Sequence, residues 1–482
     1  MNYGIVLRVI GSLLIFEAVM FLPAFMAGLY YDETSALVFL LSMAFTLITG
    51  FTMRLARQPS RKIRTKEALI IVAGGWLAVA FFGSLPFYLS GAIPSFVDAF
   101  FETVSGLTTT GATILEDIES LDRGILFWRS FTHWLGGMGI LVLTLAVLPA
   151  LGVGGFQIFK AETPGPVADK LVPKMKHTAA ILYTAYLGIT VLETILLMVG
   201  GLTLYDALVH TFGTVGTGGF STLNDSVGGY ASAYVQWVIA FFMVASGVNF
   251  SLYYALYRNR LRDVTKNEEL RFYLAIVGGA TLLVFFNLMT EFSGSAMETL
   301  RHAFFQVASI TTTTGYVTAD YETWPAFSQA VLFFLMFVGG CAGSTGGSMK
   351  VIRLLVLIKL IRREIMRILH PRAVVPVRIH QRLLRPDVIA SVTSFYILYL
   401  LILAGGTMLL SLEGLDLISA FSAVAVTLGN IGPGFGAVGP MNNYADFSVA
   451  AKGLMSLFML MGRLELFTVF ILLTPDFWRE QV

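Results

Sequence analysis

Four stretches of this chain end in small, polar, glycine-bearing tails whose backbone carbonyls could replace the water shell of a dehydrated cation. Asp98 to Gly111 reads DAFFETVSGLTTTG and Asp206 to Gly219 reads DALVHTFGTVGTGG. His302 to Gly315 reads HAFFQVASITTTTG and Ser419 to Gly432 reads SAFSAVAVTLGNIG. Alanine is second and glycine fourteenth in each, with a proline-free segment between them that predicts a short helix of about three turns. Such a helix descends part-way into a bilayer and points its carbonyl end, with roughly half a negative charge, at the centre. The tail must then return as extended backbone, and glycine permits the dihedrals that this reversal needs. Thr109, Thr110, Gly111, Thr217, Gly218, Gly219, Thr313, Thr314, Gly315, Asn430, Ile431 and Gly432 are therefore the candidate cation-binding residues. No acidic side chain lies in the turns, against the carboxylate rings expected for divalent selectivity. Thr-Thr-Gly runs also serve as helix-packing surfaces, but four in one register favour one shared site.

The elements that must hold these turns belong to a membrane protein. The chain of 482 residues is 56% hydrophobic and 13% charged, with a mean hydropathy of +0.76, whereas soluble domains average about 25% charged. Its 32 basic and 30 acidic side chains leave a net charge of +2, so no global field argues for nucleic acid. A single cysteine, Cys341, excludes an internal disulfide, and six scattered histidines offer no zinc-type spacing. The N-terminal segment reads as a retained span, not a signal peptide. A bilayer core takes roughly 20 apolar residues as a helix, which divides the sequence into ten long candidates and four short ones. The first two candidates, about Val6 to Tyr30 and Ser35 to Met53, have no repeat partner. The others pair around the four turns: Ala68 to Leu89 with Ile125 to Pro149, Thr178 to Val199 with Tyr234 to Tyr257, Phe272 to Thr290 with Pro325 to Met349, and Val388 to Leu412 with Ser448 to Thr474. The expected fold is an all-α polytopic membrane protein: two extra helices (1–66) and four helix–pore loop–helix units (67–160, 161–262, 263–370 and 371–482).

Lysine and arginine concentrate in Arg54 to Lys66, Lys160 to Lys176, Arg258 to Arg271 and Lys350 to Arg385, together 25 of the 32. These loops lie on one side if the spans alternate, so the positive-inside rule places them and both termini in the cytoplasm. The turns then face outward, beside Asp32, Glu33, Glu116, Asp117, Glu119, Asp122, Asp225, Asp320, Glu322 and Asp446. Such a vestibule could concentrate cations, although solvated loops are often acidic without that role.

The span from Pro325 carries Gly339, Gly340, Gly343, Gly346 and Gly347, and each glycine costs a helix roughly 1 kcal/mol relative to alanine. That stretch should unwind below the turns. It is no phosphate cradle, because it ends in Gly347-Ser348-Met349-Lys350 and follows no strand, and the GxGxxG at Gly434 to Gly439 lacks a βαβ context. Arg463 lies mid-span, where a charge costs roughly 2.5–3.5 kcal/mol on insertion scales; it must face protein or water. One role open to it is that of a tether hydrogen-bonded to unwound carbonyls of the third unit. His133 and Trp134 precede Gly136, Gly137 and Gly139, a pattern of close helix crossing, and Glu193 is intramembrane with no assigned role. Val351 to Ile368 mixes apolar and basic residues at helical spacing, as an amphipathic helix facing anionic lipid would.

The chain resembles the membrane subunits of bacterial Trk potassium uptake systems, the TrkH/TrkG family within the wider Trk, Ktr and HKT superfamily. The resemblance rests on TTTGAT at 108–113, GTVGTGGFS at 213–221, ITTTTGY at 310–316, TLGNIGPGFG at 427–436, GGCAGSTGGSMK at 339–350 and GRLELF at 462–467. It covers essentially the whole chain. The fourth turn departs most, with Asn430 and Ile431 where threonine or glycine stands elsewhere. The resemblance implies potassium uptake across a bacterial inner membrane, with potassium at Thr109, Thr110, Thr217, Gly218, Thr313, Thr314, Asn430 and Ile431. Sodium-preferring plant relatives carry serine at the first glycine, so Gly111 implies potassium permeability. It also implies a gate at Gly343, Ser344, Thr345 and Gly346 with Arg463 beside it, a homodimer, and a cytosolic TrkA-type regulatory ring. Any ATP or NADH would bind that ring, and this chain carries no cofactor of its own. Alternatives are a proton- or sodium-coupled symporter on the same scaffold, an alternating-access carrier, and an intramembrane enzyme using His133, Glu193 or His302. The repeats scatter those three residues, and no catalytic constellation is visible.

Overall fold

A computed structural model describes residues 2–56, 63–139, 175–289, 294–380 and 382–479. The loop Lys160 to Lys176 and the end of the expected span Ile125 to Pro149 fall largely outside these residues. Apart from a two-residue antiparallel ladder, Arg378–Ile379 with Arg382–Leu383, the described chain is helical. The first two helices, Tyr3–Tyr30 and Ser35–Arg54, form a hairpin in which backbones meet at glycine: a Cβ on Gly11 would lie 2.6 Å from the Gly50 oxygen, and one on Gly50 would lie 2.8 Å from the Gly11 oxygen. Without a hydrophobic drive between helices in lipid, such close packing supplies the contact energy. The hairpin then holds the first unit, because Glu33 accepts the N–H groups of Arg123 (2.8 Å) and Gly124 (2.9 Å), which open the helix Arg123–Gly137.

The four short helices form as expected. They are Phe96–Leu107, Leu204–Gly216, Ala296–Thr311 and Leu417–Gly429. Each starts on a side chain that accepts an otherwise orphaned N–H: Ser95 from Asp98, Thr203 from Asp206, Ser295 from Glu298, and Asp416 from Ile418 and Ser419. The leading spans of the units are Thr65–Gly83, Met175–Val199, Glu268–Leu288 and Pro386–Leu410.

The following spans differ from expectation. Among the described residues six helices are long and apolar enough to cross a membrane, or seven if one bent pair counts as a single span. That pair, Ala233–Ser246 and Phe250–Tyr257, turns by 94°. Asn249 causes the restart by accepting from Ser251 N at 2.9 Å, a helix cap inside what reads as one apolar run. The third unit breaks after Ala326–Leu335, as its glycines require. The fourth stops at Arg463 and resumes as Leu466–Leu472, with Glu465 in the left-handed region at φ 65°. In the first unit the helix ends at Gly137, ahead of Gly139 at φ 72°. The second helix is therefore interrupted in the second, third and fourth units, and in the first it ends at Gly137, short of the expected Pro149; continuous spans were expected in the first, second and fourth.

Gly50→Val forces the hairpin backbones apart. It should cost about 1–3 kcal/mol, the usual range for overpacking, and appear as a lower thermal unfolding midpoint in detergent.

Candidate ion site

The four tails share one backbone conformation despite unlike sequences. Two residues before each glycine stands a left-handed residue: Thr109 (φ 56°), Thr217 (57°), Thr313 (59°) and Asn430 (55°). The glycines themselves have φ of 80° at Gly111, 82° at Gly219, 86° at Gly315 and 92° at Gly432. Asparagine is among the residues that best tolerate the left-handed region, so the fourth turn departs in side chain and not in backbone. Asn430 also reaches across to the first turn, donating to Thr110 Oγ1 at 3.0 Å and to the Met459 carbonyl at 2.9 Å.

The turns close into a ring. A Cβ placed on Gly111 would strike the Gly218 carbonyl oxygen, on Gly219 that of Thr314, on Gly315 that of Ile431, and on Gly432, at 2.6 Å, that of Thr110. Each turn thus sets the carbonyl preceding its glycine against the glycine of a neighbour, in the cyclic order of the units. All the residues expected to bind the cation come together here, and those named for the carbonyls are buried.

Side chains behind the ring hold the outgoing tails, and these were not singled out from the sequence. Glu102 accepts from Arg129 Nε (2.7 Å), Thr113 Oγ1 (2.9 Å) and Ile114 N (3.0 Å), while Arg129 Nη1 donates to Ser221 O at 3.0 Å. His210 Nε2 pairs with Ser221 Oγ at 3.0 Å, and Ser422 Oγ accepts from Phe435 N at 2.7 Å. Tyr316 donates to the carbonyls of His210 and Phe220, both at 3.1 Å; Tyr321 donates to Gly434 and Tyr444 to Gly432, both at 2.7 Å. The signal was present in the aligned repeats, whose fifth residue is Glu102, His210, Gln306 or Ala423. Three of these are large polar residues at one register position of the repeat.

Beneath the ring the glycine-rich segment of the third unit folds into the bend of the second. Cys341 N donates to Gly247 O (2.8 Å), Thr345 Oγ1 to Ser246 O (3.2 Å), and Phe250 N to Gly343 O (3.0 Å). Ser344 Oγ closes the loop on Cys341 O at 2.7 Å, and Lys350 Nζ donates to Gly346 O. The loop also touches the ring from below, since Gly347 N donates to Thr313 Oγ1 at 2.6 Å. Arg463 joins two units, with Nη1 on Thr345 O (2.8 Å) and Nη2 on Gly136 O (2.5 Å) and Gly137 O (2.8 Å). The tether geometry is thus present, extended to carbonyls of the first unit. Arg463, Lys350, Arg353 and Glu465 line one cavity with Gly343, Ser344 and Gly346. Glu465 pairs with Arg353, whose guanidinium lies 3.8 Å from the Phe395 ring centre.

The residues of the rival readings lie apart. His133 bonds Gly106 O at 2.7 Å beside the crossing where Gly137 meets Gly216, and His302 bonds Thr318 Oγ1 at 3.0 Å. Among the described residues no group of histidine, cysteine and carboxylate side chains could hold a metal. Several vestibule carboxylates brace loops: Glu322 accepts from Gly436 N at 2.6 Å and Glu119 from Asn224 N at 3.1 Å. Hydrogen bonds from Asn224 and Ser120 hold Asp117 below the usual carboxylate range.

Residues 35–479 match the family model described as TrkH, cation transport protein. The chain belongs to the TrkH family. That makes it a membrane transport protein and not an enzyme. Curated relatives include the Trk system potassium uptake protein TrkH of Halomonas elongata, 39% identical over 100% of both chains. TrkH of Escherichia coli K12 is 38% identical over 100% of both, and TrkG of the same strain 34% identical over 99% of both. The crystal structure of the potassium transporter TrkH from Vibrio parahaemolyticus superposes with a TM-score of 0.89 at 36% identity, covering 99% of this chain and 100% of that one.

Arg129→Met leaves Glu102 buried without its cation, a loss of roughly 3–5 kcal/mol. It should reduce the yield of folded protein and destabilise it more than Glu102→Gln with Arg129→Met together. Gly219→Ser drives a side chain into the Thr314 carbonyl, and uptake should lose most of its preference for potassium over sodium.

Proposed function

We propose that this chain carries potassium into the cell through the ring of carbonyls at Thr110, Gly218, Thr314 and Ile431, with those of Thr109, Thr217, Thr313 and Asn430 beneath them. The observation that carries this reading is the closed cycle in which each turn's carbonyl rests on the next turn's glycine. Four short helices aim their carbonyl ends at its axis, which favours a cation there. The relatives named as Trk potassium uptake proteins give the cation its identity.

The glycine-rich loop from Gly343 to Gly346 is the gate in this reading, and Arg463 is its latch. The loop seals the inner side of the ring through Gly347 and Thr313, and the guanidinium fastens Thr345 to Gly136 and Gly137. Hydrogen bonds to charged groups contribute about 1.5–3 kcal/mol each, so the latch is strong enough to hold a closed state and weak enough to release. Its positive charge also repels a cation in transit. The basic loops favour an orientation with both termini in the cytoplasm of a bacterial inner membrane. A homodimer and a cytosolic TrkA-type ring that binds ATP or NADH complete the proposal, with the exposed, basic helix Val351–Leu369 facing the membrane surface or that ring.

Purified protein in proteoliposomes under an imposed electrical gradient tests the reading. Potassium should enter without added proton or sodium gradients, and Arg463→Ala should raise the rate several-fold with selectivity intact. A strict requirement for a counter-gradient, or an unchanged rate in Arg463→Ala, contradicts it.

A further inference from the structure

Glu193 lies in the span Met175–Val199, fully buried, and neither carboxyl oxygen has a hydrogen-bond partner. Three polar groups face it: the hydroxyls of Thr214 on the second short helix, Tyr186 one helical face back on its own span, and Tyr316 just beyond the third turn. Each hydroxyl has its single hydrogen engaged elsewhere. Thr214 donates to His210 O at 2.8 Å, Tyr186 to Trp134 O at 3.0 Å, and Tyr316 to the carbonyls of His210 and Phe220 at 3.1 Å. A hydroxyl has one donor hydrogen and two lone pairs, so toward Glu193 these groups accept unless the Thr214 hydroxyl releases His210 O to donate to the carboxyl.

The other ionisable groups on the packed elements are turned to different partners. On the second short helix Tyr205 donates to Arg123 O, Asp206 accepts from Thr203, and both nitrogens of His210 are bonded. On Ala233–Ser246 the ionisable side chain is Tyr234, which is exposed. On Phe250–Tyr257, Tyr253 donates to Ala245 O and Tyr254 meets Arg258. A bare carboxylate would therefore have at most the Thr214 hydroxyl as a donor, in a site with no water-exposed edge, an arrangement that buried charge does not tolerate.

We propose that Glu193 is a proton-binding site behind the second turn, occupied in this conformation, with the acid O–H donating to a hydroxyl oxygen such as that of Thr214. Thr214 lies three residues before Thr217, the left-handed residue that aims the second turn, and Tyr316 directly follows Gly315 of the third. Losing the proton would set a charge against the back of two adjacent turns. This arrangement of the ring, with the loop beneath it latched or released, binds one more proton than any state in which Glu193 is hydrated and ionised. Linkage then lowers its population as pH rises, by at most about tenfold per pH unit for one proton. The site rests on the filter reading only for its transport consequence.

The test uses the full-length protein in proteoliposomes. Infrared spectra of wild type should contain the C=O stretch of an un-ionised carboxylic acid that Glu193→Gln removes. Glu17→Gln, altering a second buried carboxyl without partners, should leave that band in place. Potassium uptake should fall with rising pH in wild type, become flat in Glu193→Gln, and keep a shifted slope in Glu193→Asp, which still titrates. If Glu193→Gln removes no acid band, the proton site is refuted, whatever the ring transports. If the band is lost but Glu193→Gln keeps the wild-type pH profile, the link from the proton to the turns is refuted. Absence of potassium uptake at every pH, with the band present, would instead contradict the filter reading and leave the proton site standing.

Discussion

Backbone carbonyls packed against the Cα atoms of glycine set the geometry on which everything else depends. At Gly111, Gly219, Gly315 and Gly432 positive φ and the absence of a Cβ are needed together, because a side chain would be both strained and in collision with a neighbouring turn. Four unlike tails thereby reach one conformation and one spacing. A ring made of main chain is insensitive to side-chain rotamers. Its rigidity comes from behind, where Glu102, Arg129, His210, Ser422, Tyr316, Tyr321 and Tyr444 satisfy the polar groups of the outgoing tails.

Below the ring, the interruptions of the helices fit one another. Irregular backbone in a bilayer persists only where protein or a water-filled path satisfies its polar groups. Here the bend at Gly247 offers carbonyls to the loop of the third unit, and the broken end of the first unit offers Gly136 and Gly137 to Arg463. Arg463 and Glu465 flank the break in the fourth unit, one bonded to the loop and the other to Arg353 on the basic helix Val351–Leu369. Movement of that helix is thus mechanically close to the loop.

The short helices, the register of the four glycines, the unwinding of the third unit and the reversal of the four tails were legible because each has a local cause. Glycine content predicts a broken helix, and a fourteen-residue repeat predicts equivalent positions. The bend after Ser246 was not legible, since one glycine in a long apolar run is tolerated in most helices and the capping role of Asn249 appears only once the chain has turned. Nothing in the sequence marks Glu465 for positive φ. The pairing of Glu102 with Arg129 depends on tertiary approach across 27 positions, and charge counting could not distinguish a vestibule that attracts ions from carboxylates such as Glu33 and Glu322 that brace loops.

The central claim is that four main-chain carbonyls, one from each turn, hold a dehydrated cation on a common axis. Crystals of the protein exchanged into thallium or rubidium salts, with anomalous scattering recorded, test it most directly. The account predicts an anomalous peak on the axis within coordination distance of the Thr110, Gly218, Thr314 and Ile431 oxygens, weakened when sodium replaces potassium as the competing ion. Anomalous density confined to the acidic loops or to the cavity beside Arg463, with none between the four turns, would contradict it.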